Sequence, residues 1–116
     1  MITVTKVFEF EAAHHLPNYD GKCSKIHGHS YKLEVEVGRK NKSTYPTMIL
    51  DFSVLKKIVK EKIIDRLDHS YLNDIFEYPT AEAMVNWIRT ELAHTELFVE
   101  RIRLWETSTS YAEWRR

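Results

Sequence analysis

Four side chains in the first thirty residues have the types and spacing for metal chemistry: His14, Cys23, His27 and His29. Only Gly28 separates His27 from His29. In a β-strand, residues i and i+2 point to the same face, so the two imidazoles project together. Three neutral imidazoles around an open position are a standard zinc arrangement for catalysis. Gly28 lets the backbone bend or sit close beside such a site. A histidine on an apolar face is also commonly a core residue with a satisfied hydrogen bond; a third histidine of matching parity and a nearby thiol favour the metal. Cys23 lies four residues before His27, and an extended stretch of that length reaches at most about 13–14 Å. Two readings of the thiol stay open. As a fourth ligand it closes a structural site. As a non-ligand it is a thiol whose pKa the cation depresses, a base or nucleophile near neutral pH.

Further along, Asp68 and His69 are adjacent. A carboxylate beside an imidazole can fix its tautomer and basicity for proton transfer. A histidine at a helix C-terminus, favoured by the dipole, is the plainer reading. Glu106 shares strand parity with Ile102 and Leu104. A carboxylate on an apolar face needs a partner; a ligand with paired N–H donors would satisfy it, as would a neighbouring Arg or Lys. His15 has the opposite parity to His14 and is not expected to ligate. His94 falls late in a helix and reads as surface. Trp105 and Trp114 read as core or interface aromatics. Lys22, Lys25 and Lys32 are candidates to hold an anionic group by proximity alone.

These residues need strands and helices to bring them together. Residues 2–14 alternate, with Ile2, Val4, Phe8, Phe10, Ala12 and His14 sharing one parity, broken only by Lys6. That pattern predicts a half-buried strand. After the loop-forming residues 17–22, a second strand carries His27, His29, Tyr31, Leu33, Val35 and Val37 on one face. If the two apolar faces align, the three histidines converge. Residues 38–47 read as a polar loop. Asp51 or Ser53 is a plausible N-cap for a helix with Leu55, Val59, Ile63 and Leu67 at i+4 steps. Thr80 caps a second, with Ala81, Met84, Val85, Ile88 and Leu92 as its apolar stripe. Phe98, Ile102 and Leu104 mark a third strand, and residues 109–114 a short fourth. The expected fold is α+β: a four-stranded antiparallel sheet with two helices packed on one face, in the order ββααββ.

The chain's 116 residues are the length of one domain, read here as 1–116. Hydrophobic residues make up 43% and charged residues 29%, which excludes a disordered class. The formal net charge is zero, which argues against a nucleic-acid partner. One cysteine permits no intrachain disulfide and fits a reducing compartment. Lys6, Glu9 and Glu11 interrupt any signal-like apolar run, and no segment approaches the ~20 apolar residues of a membrane span. A cytoplasmic protein is the expectation.

Taken together, the motifs resemble the 6-pyruvoyl-tetrahydropterin synthase superfamily, which includes the 6-carboxytetrahydropterin synthases of queuosine biosynthesis. The carrying pieces are PheGluAlaAlaHisHisLeu at 10–16, CysSerLysIleHisGlyHisSerTyr at 23–31 and MetIleLeuAspPhe at 48–52. LeuAspHisSerTyrLeuAsn at 67–73, ProThrAlaGlu at 79–82 and TrpGluThr at 105–107 complete the set. The resemblance implies that His14, His27 and His29 ligate Zn2+ and that Cys23 is the catalytic thiol. It implies that Asp68 and His69 complete the proton-transfer machinery and that Glu106 anchors the pterin, with Thr80 helping. It implies a T-fold whose sheets join into trimeric barrels, stacked as a hexamer, with active sites between subunits. The substrate would be 7,8-dihydroneopterin triphosphate. Three residues separate Cys23 from His27, a gap that resembles the carboxy-forming branch. Two alternatives stand beside it: pyruvoyl formation from the same substrate, and a non-catalytic zinc-stabilised binding domain.

Overall fold

The structure is a computed structural model that describes residues 1–40 and 45–116; part of the expected 38–47 loop lies outside them. Strand β1 (Val4–His14) pairs antiparallel with β2 (His27–Gly38) in an unbroken register from Val4–Val37 to His14–His27. Ile2 lies before β1 and is exposed. Two further long strands follow the helices: β4 (Phe98–Thr107), antiparallel to β2, and β5 (Ser110–Arg115), antiparallel to β4. The sheet is not the expected four-stranded antiparallel one. A fifth strand, β3 (Ser70–Tyr71), pairs parallel with β1 at Ala12 and Ala13, giving the order β3-β1-β2-β4-β5. Two residues are too few to show a period of two, so alternation could not reveal β3.

One face of this sheet is the core. Phe10 and Ala12 of β1, Tyr31 to Val37 on alternate positions of β2, and Val99, Ile102 and Leu104 of β4 are all buried. The helices cover that face. α1 (Phe52–Val59) runs through a π turn (Lys60–Ile64) into α2 (Asp65–Leu67). Asp51 caps it, its carboxylate accepting from the Ser53 N–H at 2.8 Å. Leu55, Val59, Ile63 and Leu67 are all fully buried. A strict i+4 stripe would drift by about 40° per step around an α-helix of 3.6 residues per turn. The wider π turn takes up part of that drift and keeps the stripe on the sheet. α3 (Ala81–Ala93) buries Met84, Val85, Ile88 and Leu92.

β4 carries two extra residues. Its pairing jumps from Glu36–Arg101 to Val37–Val99, leaving Glu100 without a partner on β2, and from Trp105–Tyr111 to Thr107–Ser110, leaving Glu106 without a partner on β5. Such β-bulges kink a strand and re-aim a side chain.

The opposite face is polar and tied by ions. Arg101, 11% exposed, donates to Glu36 at 2.7 Å and reaches Glu34 and Glu113 at 3.4 Å. Arg103 donates to Glu113 at 2.6 Å, and the Trp105 indole to Glu34. The hydrogen bond from Arg101, against an opposing effect of burial, holds the Glu36 carboxyl below its ordinary value of 4.5. A depressed carboxylate contributes stability above its unfolded pKa, lost as pH falls through the lower folded value. Arg101→Met should therefore destabilise the protein by about 2 kcal/mol at neutral pH, between the figures for exposed and buried pairs. Urea denaturation should show that difference shrinking as the pH falls below the ordinary carboxylate value and the carboxylates protonate.

Candidate metal centre and active site

The β1–β2 register ends by setting His14 opposite His27, with His29 opposite Ala12. The three rings lie with centroids 4.7, 5.0 and 4.8 Å apart, nearly edge to face. Backbone carbonyls fix two of them. His14 Nδ1–H donates to the Pro79 carbonyl at 2.8 Å, and His27 Nδ1–H to the Lys25 carbonyl at 2.7 Å. Each ring is thereby set in the tautomer whose Nε2 carries a lone pair. Those two Nε2 atoms face each other at 3.2 Å. Two lone pairs at that separation repel unless a cation lies between them.

His29 supplies the third. Its Nε2 is buried without a hydrogen-bond partner and lies 3.5 Å from Glu106 Oε1. A buried polar atom left unsatisfied costs about 1–3 kcal/mol. Burial, with His14 and His27 adding to it and Glu106 opposing, lowers the His29 pKa, favouring the neutral form that binds metals. Candidate ligand atoms of the three histidines all lie within 4.8 Å of one another. The donor set therefore fits a metal ion, and the carbonyl bonds supply the outer support that such ligands usually have.

Cys23 sits in a short 3-10 turn (Lys22–Ser24), tied back to the end of β1 by the Leu16 N–H, which donates to the Cys23 carbonyl at 2.7 Å. It is half-buried, and its sulfur is not part of the converging group. Asp68 and His69 are anchored elsewhere. The Glu11 N–H donates to Asp68 Oδ1 at 3.0 Å, and the His69 N–H donates to the Glu11 carbonyl at 2.6 Å. Asp68 and His69 also pair side chain to side chain at 3.0 Å. The Glu11 N–H, chiefly, lowers the Asp68 pKa against some burial. His69 adopts a left-handed φ of 59°, and its side chain is 80% exposed. Among the described residues, the hydrogen bonds and ion pairs of Asp68 and His69 do not reach the three histidines or Cys23.

Glu106 reaches His29 from the bulge in β4. Thr80 caps α3, its hydroxyl oxygen accepting the Ala83 N–H at 3.1 Å. His15 lies off the cluster, its Nδ1 2.6 Å from the Tyr71 hydroxyl. His94 is exposed at the end of α3. Lys22 and Lys25 are exposed, and Lys32 lies over the Trp105 ring at 4.7 Å. Sequence reasoning missed the Pro79 carbonyl, a backbone group invisible to residue patterns. It also missed Glu82, which with Ala81, Asn86, Glu106 and Trp114 lines a cavity of about 590 Å³ between α3 and β5. Its signal lay in the ProThrAlaGlu motif.

The family model described as 6-pyruvoyl tetrahydropterin synthase matches residues 3–116. The chain belongs to that family. It is 40% identical to the 6-carboxy-5,6,7,8-tetrahydropterin synthase of Haemophilus influenzae, over 98% of this chain and 99% of the relative. It is 39% identical to the protein of the same name from Synechocystis, over 98% and 93% respectively. The solved 6-pyruvoyl tetrahydropterin synthase of Caenorhabditis elegans superposes with a TM-score of 0.83 at 22% identity, covering 99% of this chain and 95% of that one. That likeness shows a shared fold. Like these relatives, the chain is a tetrahydropterin synthase by family.

Metal removal should be felt in the fold. Chelation should lower the melting temperature, and restoring metal at one hundred times Kd should return about 2.7 kcal/mol of stability. His29→Ala should weaken metal binding by about 100-fold or more, read by chelator competition.

Proposed function

We propose that this protein is a zinc-dependent carbon–carbon lyase that converts 7,8-dihydroneopterin triphosphate to 6-carboxy-5,6,7,8-tetrahydropterin, acetaldehyde and triphosphate, a step of queuosine biosynthesis. The observation that carries the reading is the convergence of ring nitrogens of His14, His27 and His29 beside Glu106. The 3.2 Å edge between two of them matches that of a tetrahedron with zinc–nitrogen bonds of about 2.0 Å. The names of the curated relatives support the carboxy product. The three-residue gap between Cys23 and His27 agrees with it.

Zinc bound by the three histidines would supply Lewis acidity toward the substrate's side-chain hydroxyls. Glu106 accepts the pterin's 2-amino and ring N–H groups and fixes the side chain over the histidines. Thr80, at the mouth of α3, assists. Cys23 stands outside the ligand group and takes a proton from the substrate side chain as thiolate. Asp68, held as a carboxylate by the Glu11 N–H, orients His69, which handles the complementary proton. Triphosphate departs by elimination, and cleavage of the side chain, which consumes one water, releases acetaldehyde and leaves the carboxylate on the pterin.

Asp68 and His69 complete the site of a neighbouring subunit in this reading. Support comes from their anchorage at the edge of β1 and from the sheet's own edges. β3 covers β1 only at Ala12 and Ala13, so among the described residues most of that edge has no strand beside it, and neither has the outer edge of β5. Pairing between chains into trimers, two of them stacked as a hexamer, would close both. No described helix is long and apolar enough to cross a membrane; we place the protein in the cytoplasm.

Incubating the zinc-loaded protein with 7,8-dihydroneopterin triphosphate should yield 6-carboxytetrahydropterin by mass, with acetaldehyde in equal amount. A pyruvoyl product without acetaldehyde would move the chain to the neighbouring branch. No product at all would leave the non-catalytic domain. Cys23→Ala should retain its zinc and lose about 10³-fold or more in turnover; loss of the metal would make the thiol a ligand instead. Co-refolding Cys23→Ala with His69→Ala should restore part of the activity that neither variant has alone, since some sites then combine intact halves.

A further inference from the structure

Tyr31 is 1% exposed, and its hydroxyl has no hydrogen-bond partner among the described residues. The ring itself is well held. It stacks on Phe10 with centroids 5.0 Å apart and meets the edge of His29 at 5.6 Å. Buried tyrosine hydroxyls usually find a partner, so an orphan beside a functional site calls for a cause.

Its place in the sheet supplies one. Tyr31 shares a face of β2 with His29, one step beyond the last ladder pair to β4, Lys32–Trp105. Opposite it, where the two strands part, stands Glu106, the extra residue of the bulge. Burial first, and the charge of Glu106 second, push the pKa of the hydroxyl up. Glu106 now lies 3.5 Å from His29 Nε2. That nitrogen is the atom His29 would give to a metal, and once given it offers no proton to a carboxylate. Tyr31 then has a donor without an acceptor, and Glu106 an acceptor without its neighbour. A carboxylate has two oxygens with about four lone-pair sites, so one oxygen can take the hydroxyl while the other serves a ligand.

We propose that Tyr31 is a positioning residue whose hydroxyl donates to the Glu106 carboxylate in the metal-loaded protein and aims it at the pterin. This rests on the reading of Glu106 as the pterin's anchor.

Tyr31→Phe keeps the ring and its stacking. The probe is neopterin, titrated by fluorescence into the zinc-loaded protein, its Tyr31→Phe and Glu106→Gln variants and the double variant. Tyr31→Phe should keep its zinc and bind neopterin about tenfold more weakly. In the Glu106→Gln background the same substitution should have no further effect, because the hydroxyl acts through the carboxylate. Unchanged affinity, an equal loss in both backgrounds, or loss of zinc from Tyr31→Phe would each overturn the proposal. If the parent protein itself fails to bind neopterin, the pterin reading falls first and this inference with it.

Discussion

The site depends on the register between β1 and β2. Side chains along a strand alternate with a period of two, so a slip of one residue would turn every one of them to the other face. Here such a slip would expose the core positions of one strand and part the histidines at the same stroke. The register is therefore held by the same burial that makes the core. Phe10 stacked on Tyr31 and Phe8 opposite Leu33 belong to one continuous ladder with His14 opposite His27. The histidine cluster is the polar end of an otherwise apolar zipper, and no separate framework is needed to build it.

Strand β1 serves two functions along its length. Its buried face ends in His14, and the Pro79 carbonyl ties that ring to the start of α3. Its free edge, at Glu11, holds Asp68 and His69 through two backbone hydrogen bonds. The strand thus separates the three converging histidines from the Asp68–His69 pair within one chain while fixing both to one element. His69 accepts a left-handed backbone conformation, uncommon outside glycine, to remain there.

Much of this was legible from alternation alone. Parity placed the three histidines on the apolar face, and i+4 and i+3 spacing found both helical stripes. What was not legible has physical causes. β3 is two residues long and pairs parallel, without a pattern to betray it. The π turn is a backbone adjustment that shows only as a stripe too regular for an α-helix. Parity put Glu106 on the apolar side with Ile102 and Leu104, and it does stand there, 3.5 Å from the His29 Nε2; the bulge that takes it out of the ladder to β5 left no sign in the sequence. Tyr31 read as one more core aromatic, because sequence shows that a hydroxyl exists and not whether it has a partner.

The bulge at Glu106 has a consequence for how this chain can change. A chain without that extra residue would close β4 and β5 into a more regular hairpin, with every ladder position paired. It would also have nothing to set against His29. At this point the better sheet is the emptier site. For the role proposed for Glu106, the number of residues at the end of β4 therefore matters as much as their type, because deleting one would regularise the hairpin and withdraw the carboxylate from His29.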